Sequence, residues 1–297
     1  MDVVIADAGV KTSDALMASW RSGYAEDCKS LYGGSIPSEA SRFTSGFHAM
    51  SWAMAREPHQ GLRRSEDTAG GCLAADLPRG NWMADFAALR RNMVDCQLRT
   101  YDVTDRAVLA AMDAVPREMF VPPSLREIAY IDQPVALDTF GARGRQLLAP
   151  MTSGRMLQTL DVQPGQTFLD YACGTGYTSA VAARLGAIVT AYDTSAELRH
   201  VARGLLSQPE TQSVVVADTL PTGPFDLIFV NGSCEREPDE LFALLGEGGK
   251  LVLVQGGGRS GRAMLHHRAG TAFSGRAIFD TAAHGLEEFR RIASFAL

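Results

Sequence analysis

The chain has 297 residues, of which 46% are hydrophobic and 21% charged, and its formal net charge is −6. This composition is typical of a globular protein with a sizeable core, and it excludes the basic surplus that neutralises nucleic-acid phosphates. Its five cysteines form neither a disulfide framework nor a metal-ligand spacing, and no apolar run is long enough to cross a membrane. We therefore expect a cytoplasmic protein without a metal, a nucleic-acid partner or a membrane partner.

The first 82 residues carry scattered glycines, serines and mixed charges without a sustained apolar period. Such a composition is typical of a linker or an extension rather than of a packed core. A better patterned stretch opens at Met83. We therefore expect residues 1–82 to be a poorly structured extension or a mis-assigned start, residues 83–160 to cover the main domain, and residues 161–297 to form its core.

The predicted cover consists of helices and proline-bounded pieces. Apolar residues at helical spacing predict one helix over 84–98 and another over 105–114, with Thr104 as the N-cap of the second. Prolines flank the segments V-P-R-E-M-F-V-P at 115–122 and A-Y-I-D-Q-P at 129–134, so both are predicted to be extended or turning. A further helix is predicted over 150–160.

The stretch F-L-D-Y-A-C-G-T-G-Y at 168–177 organises the predicted core. A turn at Pro164-Gly165 precedes a short buried strand over 166–171, and a helix follows over 178–185 and ends at Gly186. Gly174 and Gly176 allow a sharp turn that leaves backbone amides open to a ligand. Strand, glycine turn and helix in this order are typical of a doubly wound nucleotide-binding sheet.

Acidic residues recur at the ends of the predicted strands. Asp170 lies at the end of the first strand, and Asp193 and Asp218 end strands predicted over 187–192 and 214–217. A negative charge at Asp170 suits a ligand with an ammonium and a sulfonium, and it suits a pyrophosphate poorly. Asp193 is placed for ribose hydroxyls and Asp218 for an adenine amino group. A dinucleotide site stays an alternative, since Ser179 or Ala180 supplies the third small residue of its fingerprint.

The remaining strands complete the predicted fold. Strands are predicted over 225–232 and 248–254, a flexible glycine run over 256–262, a closing hairpin over 263–280 and an amphipathic end over 286–295. Asn231 ends the fourth strand, beside the expected position of the acceptor. The fold class is α/β, with a doubly wound, mostly parallel seven-stranded sheet, an antiparallel edge and an N-terminal helical cover.

Two sets of motifs carry a resemblance. The pattern D-x-x-x-G-x-G, the acid after the second strand and F-D-L-I-F-V at 225–230 resemble the core of class I S-adenosyl-L-methionine-dependent methyltransferases. The two proline-bounded blocks ahead of that core extend the resemblance to protein-L-isoaspartate O-methyltransferases, over about residues 84–257. It implies S-adenosyl-L-methionine as cofactor and proteins or peptides with isoaspartyl residues as substrate. The cofactor-binding residues we expect are Asp170, Ala172, Gly174, Gly176, Tyr177, Asp193, Thr194, Asp218 and Asn231.

One motif departs from this family. Its members carry I-S-Q-P before the core, and the serine is thought to lie beside the transferred methyl and the substrate carboxylate. Here the stretch is L-L-A-P, with Leu148 and Ala149 at the serine and glutamine positions, while Thr152 and Ser153 are shifted. No catalytic residue is therefore carried over. A methyltransferase with another small-molecule or protein acceptor, a non-catalytic S-adenosylmethionine-binding protein and an NAD-dependent oxidoreductase stay open as alternatives.

Overall fold

A computed structural model describes residues 84–211, 213–257 and 260–291, so the predictions for residues 1–82 lie outside the described part. Its main sheet has seven strands in the order β5-β4-β3-β6-β7-β8-β9, and β1 and β2 form a separate hairpin. The strands are β1 Val135–Ala136, β2 Gln146–Leu147, β3 Thr167–Tyr171, β4 Ile188–Tyr192, β5 Val215–Val216, β6 Phe225–Cys234, β7 Leu245–Gly257, β8 Ser260–Ala269 and β9 Ala272–Thr281.

Strands β3 to β7 pair in parallel, whereas β8 is antiparallel to both of its neighbours. The predicted α/β fold, with a mostly parallel seven-stranded sheet and an antiparallel edge, is confirmed. The carboxyl ends of the parallel strands meet at one edge of the sheet, which is where open α/β sheets bind their ligands. Strand β9 runs parallel to β7, so its last residue, Thr281, lies at the same edge.

The helices are α1 Phe86–Asn92, α2 Arg106–Ala114, α3 Pro150–Leu160, α4 Tyr177–Arg184, α5 Ala196–Leu205 and α6 Asp239–Phe242. Helix α1 continues into the wider π-helical turn Met93–Leu98. The prediction that Thr104 caps α2 is wrong. The cap is Asp105, whose carboxylate accepts from the amides of Ala107 and Val108, and a carboxylate also suits the positive end of the helix dipole.

Apolar residues fill both faces of the sheet. One core joins buried residues of the cover, such as Leu98 and Met112, to Phe168 and Val252 of the sheet. The other core lies on the opposite face, where Leu286 and other residues after β9 pack. A cover of helices over 84–160 thus buries one face of the sheet. The division into a cover and a core near residue 160 stays a prediction.

Two segments differ from their predictions in detail. Where the structure describes the predicted glycine run at 256–262 it is strand, because Gly256 and Gly257 end β7 and pair with Gly261 and Ser260 of β8. In the predicted amphipathic end, Glu287–Phe289 forms a single 3-10 turn. Phe289 is fully buried there, so its packing on the sheet agrees with the prediction.

Candidate active site

The glycine turn after β3 has a strained and fully enclosed backbone. Ala172 has a φ of 57°, a left-handed conformation that is unfavourable for a residue with a side chain, and Gly174 and Gly176 have φ values of 59° and 91°. A β-carbon at Gly174 would lie 3.0 Å from the side chain of Leu137, which is fully buried over the turn. The turn therefore accepts only glycine at this position, as its sequence predicts.

Asp193 lies at the tip of β4 and binds the glycine turn directly. Its side chain is fully buried, and its Oδ2 accepts from the amide of Gly174 at 2.9 Å. Its Oδ1 accepts from the amide of Ser195 at 2.9 Å. The guanidinium of Arg145, from the loop before β2, lies 2.5 Å from Oδ2 and is itself only 12% exposed. The acid predicted to hold a ribose is thus next to the turn and paired with a cation.

Asp170 lies in β3 at the centre of a buried polar network. The hydroxyl of Ser179 and the side-chain amide of Asn231 both donate to its carboxylate, the latter at 2.5 Å. The carbonyl of the Asn231 side chain in turn accepts from Thr178 at 2.8 Å. Burial raises the pKa of Asp170 to about 7, against the opposing effect of these hydrogen bonds. The network ties β3, α4 and β6 together beneath the glycine turn.

The raised pKa of Asp170 predicts how stability depends on pH. Since the folded protein binds this proton more tightly than the unfolded chain, the contribution of Asp170 is fully present below about pH 4 and declines as the pH rises to about 7. Asp170→Asn keeps the shape and removes the titration. We therefore expect the variant to become more stable relative to the wild type as the pH rises over that range. The difference in the free energy of unfolding should grow by up to about 4 kcal/mol, at 1.36 kcal/mol per pKa unit. Urea unfolding at pH 4.5, 6 and 7.5 measures this, and a constant difference would contradict it.

Tyr177 follows the glycine turn, but its side chain turns away from the strand tips. It is fully buried beneath the guanidinium of Arg117, 4.9 Å from the ring centroid. Arg117, also fully buried, donates from Nε to the carbonyl of Ala129 at 2.7 Å and from Nη2 to that of Leu148 at 2.6 Å. Arg117 thereby fixes the backbone of the L-L-A-P segment against α4. The side chain of Tyr177 therefore packs against Arg117 of the cover.

Asp218 lies at the same edge of the sheet, beyond β5, with its side chain 78% exposed. Arg203 donates to its carboxylate at 2.8 Å. Arg199 connects it to Asp193, since its Nη1 donates to the backbone carbonyl of Asp193 at 2.6 Å and its Nε lies 4.0 Å from the Asp218 carboxylate. The structure therefore places all three acids at neighbouring strand tips, with two of them buried and Asp218 on the outer rim.

A cavity of about 420 Å³ opens beside Thr194 and Ser195, which directly follow Asp193, and beside Arg145, which pairs with it. It lies between the loop before β2, the tip of β4 and the segment after β9. Its lining includes Arg145, Thr194, Ser195, Glu287 and Glu288. The volume falls in the range of about 300–1,000 Å³ that small-molecule sites occupy.

The cavity is polar and enclosed on the side of the C-terminal segment. Glu288 accepts from the hydroxyl of Tyr171 at 3.0 Å. His284, next to Gly285 of the lining, has both ring nitrogens buried without a hydrogen-bond partner in the described part. Burial lowers the pKa of His284 to about 3, with a smaller effect from Arg145, so its ring is neutral.

These residues fit S-adenosyl-L-methionine. The buried Asp193 lies beside the glycine turn, at the position of a ribose-binding carboxylate, and Thr194 lines the cavity next to it. Sequence reasoning found the acids and the turn. It missed Arg145, because only the fold brings this residue to the strand tips, and it considered Ser179 as a small packing residue and not as a hydrogen-bond donor to Asp170.

Within residues 84–211, 213–257 and 260–291, no cluster of three or more histidine, cysteine or acidic side chains is arranged to hold a metal ion. None of the helices in the same ranges has the length and apolar character needed to span a bilayer.

The sheet order, the glycine turn after β3 and the buried acid at the tip of β4 define a class I methyltransferase fold. Solved structures agree. One protein-L-isoaspartate O-methyltransferase superposes with a TM-score of 0.58 at 21% identity, over 66% of this chain and 65% of that one. A structure of the same enzyme type from Plasmodium falciparum, in complex with S-adenosyl-L-homocysteine, gives 0.57 at 20% identity, over 69% of this chain and 99% of the other.

Sequence comparison resolves the family. The profile described as Protein-L-isoaspartate(D-aspartate) O-methyltransferase matches residues 89–276. Protein-L-isoaspartate O-methyltransferase of Aeropyrum pernix is 39% identical over 181 residues, which cover 58% of this chain and 68% of that protein. The enzyme of the same name from Methylorubrum extorquens is 36% identical over 183 residues, 60% of this chain and 78% of the relative. The chain belongs to the protein-L-isoaspartate O-methyltransferase family, whose members are S-adenosyl-L-methionine-dependent enzymes.

Proposed function

We propose that this protein transfers a methyl group from S-adenosyl-L-methionine to the carboxylate of isoaspartyl residues in proteins. The observation that carries the proposal is the buried carboxylate of Asp193, which binds the amide of Gly174 and directly precedes Thr194 and Ser195 of the 420 Å³ cavity. A ribose-binding acid at the tip of the second strand, beside the glycine turn, is what such sites use, and this supports the proposal. Membership of the family supports the isoaspartyl acceptor.

In this proposal the donor-binding residues are those expected from the sequence. Asp193 binds the ribose hydroxyls, Asp218 on the rim binds the adenine amino group, and the glycine turn, held by Asp193 through the Gly174 amide, lies against the methionine end. Asp170 acts from beneath the turn, through Asn231 and Ser179, because its carboxylate is already hydrogen-bonded. Ala172, Gly176 and Tyr177 contribute backbone.

Methyl transfer to a carboxylate requires no strong acid or base from the protein. The bound donor supplies a methyl group on a sulfonium, which is already activated for displacement. An acceptor carboxylate is anionic at neutral pH, so no residue has to remove a proton. The chain's tasks are to hold the acceptor oxygen in line and to exclude water. Leu137 and Leu148, both buried beside the site, serve the second task.

Leu148 favours a second candidate function. Its side chain is apolar and only 1% exposed at the position where the family carries a serine. A hydroxyl that would bind the acceptor carboxylate is therefore missing from this position, and a different small-molecule or protein acceptor is the alternative. Cytoplasmic location stays a prediction, supported by free cysteines at 96, 173 and 234 in the described part.

The test of the proposed function is methyl transfer to a synthetic isoaspartyl peptide. With tritiated donor, we expect radioactivity in the peptide that is released as methanol by mild base, as a carboxyl methyl ester requires. The matched control is the same peptide with a normal aspartate, which keeps the composition and charge. Transfer to neither peptide, with the donor bound normally in calorimetry, would favour the second candidate.

A further inference from the structure

The carboxylate of Asp193 is enclosed by protein groups. Its side chain has no exposed surface, its Oδ1 accepts from the amide of Ser195 at 2.9 Å, and its Oδ2 accepts from the amide of Gly174 at 2.9 Å. The Nη2 of Arg145 lies 2.5 Å from the same Oδ2. A ligand can therefore reach this carboxylate only after one of these three partners has moved.

The number of acceptor positions on Asp193 identifies the partner that must move. The two oxygens of a carboxylate accept about four hydrogen bonds. Three are in use, from Gly174, Ser195 and Arg145, whereas a ribose binds through two hydroxyls. The two amides belong to the backbone of the glycine turn and of the α5 N-cap, so they are fixed. Arg145 donates from a side chain with several rotatable bonds, and it is the donor that can leave.

Glu288 offers Arg145 a second partner. The Arg145 side chain is only 12% exposed, and separating a buried cation from its carboxylate is costly unless another acid replaces it. Glu288 lines the same 420 Å³ cavity as Arg145. Its carboxylate accepts from the neutral hydroxyl of Tyr171 at 3.0 Å and has capacity for further donors. Glu287, the other acid of this lining, is already paired with Arg290 at 3.0 Å.

The backbones that carry Arg145 and Glu288 are both held in place. The amide of Leu137, which is fully buried over the glycine turn, donates to the carbonyl of Arg145 at 2.9 Å. Glu288 belongs to the single 3-10 turn Glu287–Phe289, which is anchored by the fully buried Phe289. A change of partner is therefore a rotation of the Arg145 side chain within the cavity, without a movement of either segment.

We propose that Arg145 is a switch for donor binding, which pairs with Asp193 before the donor binds and with Glu288 once the ribose hydroxyls occupy Asp193. The proposal rests on the proposed function, because it takes Asp193 as the ribose-binding acid. In its first position Arg145 competes with the donor for the carboxylate. In its second position it stabilises the donor-bound form through Glu288. The exchange involves no covalent step.

The test measures the affinity of the full chain for S-adenosyl-L-homocysteine by isothermal titration calorimetry. Arg145→Gln should bind this ligand about tenfold more tightly, as expected where the form paired with Asp193 holds about 90% of the free protein. Glu288→Gln should bind it about threefold more weakly, because the donor-bound form loses a partly exposed ion pair. A merely structural role of the two residues would weaken binding in both variants.

The double variant Arg145→Gln/Glu288→Gln measures the coupling between the two residues. Glu288→Gln should have no further effect in the Arg145→Gln background. Arg145→Lys, which keeps a cation, should bind closer to the wild type than Arg145→Gln does. The matched controls are Arg106→Gln and Glu127→Gln, which remove the same charges from exposed positions of the cover and should change the affinity by less than about twofold.

Several results would overturn the switch. They are weaker or unchanged binding by Arg145→Gln, unchanged binding by Glu288→Gln, and an effect of Glu288→Gln that persists in the double variant. Glu288→Gln leaves the pair of Arg145 and Asp193 intact, so it tests the switch even if Arg145→Gln does not fold.

Methyl transfer to the isoaspartyl peptide separates this inference from the proposed function. If the variants shift the affinity as expected and the wild type does not methylate the peptide, the proposed function fails and the switch stands. If the wild type methylates the peptide and both single variants match the controls, the switch alone is overturned. A wild type that binds no S-adenosyl-L-homocysteine also overturns the switch.

Discussion

Asp193→Asn is expected to reduce the affinity for S-adenosyl-L-methionine by about 100-fold or more. The substitution keeps the shape of the side chain but removes the charge that strengthens hydrogen bonds from two ribose hydroxyls. Bonds to a charged group contribute about 1.5–3 kcal/mol each, and about 1.4 kcal/mol corresponds to a factor of ten. Isothermal titration calorimetry with the donor measures the change.

Arg145 has to be included in this experiment. With Asp193 neutralised, its guanidinium, 12% exposed, would lack the carboxylate 2.5 Å away, and an unpaired buried charge destabilises the fold. The double variant Arg145→Gln/Asp193→Asn removes that effect and should bind the donor as weakly as the single variant. Glu127→Gln, exposed in the cover, is the control. Donor affinity within twofold of the wild type in both variants would refute the ribose assignment.

Arg117→Ala is expected to lower the free energy of unfolding by about 3–5 kcal/mol. The variant leaves a large cavity among fully buried residues, and two buried carbonyls, of Ala129 and Leu148, lose their donors. Tyr177 also loses the cation stacked on its ring. Urea unfolding measures the loss, and Arg106→Ala, exposed on α2, is the matched control and should change stability by less than about 0.5 kcal/mol.

Arg117→Lys distinguishes the effect of the buried charge from the effect of the planar guanidinium geometry. Burial lowers the pKa of Arg117, so the site tolerates a cation at a cost and retains it for its hydrogen bonds. Lysine cannot reach two carbonyls with a planar fork, so Arg117→Lys should recover only part of the stability. Full recovery by lysine, or a loss in Arg117→Ala no larger than in the control, would show that the two carbonyl contacts carry little energy.

The L-L-A-P segment, which departs from the family motif at Leu148, has a structural role in the fold. In sequence, L-L-A-P reads as the loss of a catalytic motif. In the structure the segment keeps a rigid role, since Arg117 and the α3 N-terminus hold it, and the amide of Met151 donates to Asp132 at 3.0 Å. Asp132 and Arg117 both belong to the proline-bounded blocks that carried the resemblance. Those blocks therefore position the segment whether or not it supplies a hydroxyl.

Residue patterns alone predicted the sheet, the glycine turn and the three acids at its edge. Period-two and apolar runs specify buried strands, glycine specifies the left-handed turn, and parallel strands bring their ends together whatever lies between them. Local patterns also predicted α3 at its observed bounds, Pro150–Leu160, because proline favours the first turn of a helix.

The contacts between distant groups depend on how the chain packs in three dimensions. Arg145 and Asp193 are 48 residues apart, and Thr152 and Thr281 are 129 apart. No local pattern couples such pairs, because their contact depends on how helices and hairpins pack over the sheet. The burial of each acid could not be predicted from the sequence either. Asp170 and Asp218 both end predicted strands, yet Asp170 is enclosed beneath the turn and Asp218 is exposed on the rim. The environment of a charge, and hence its chemistry, is a property of the packed fold.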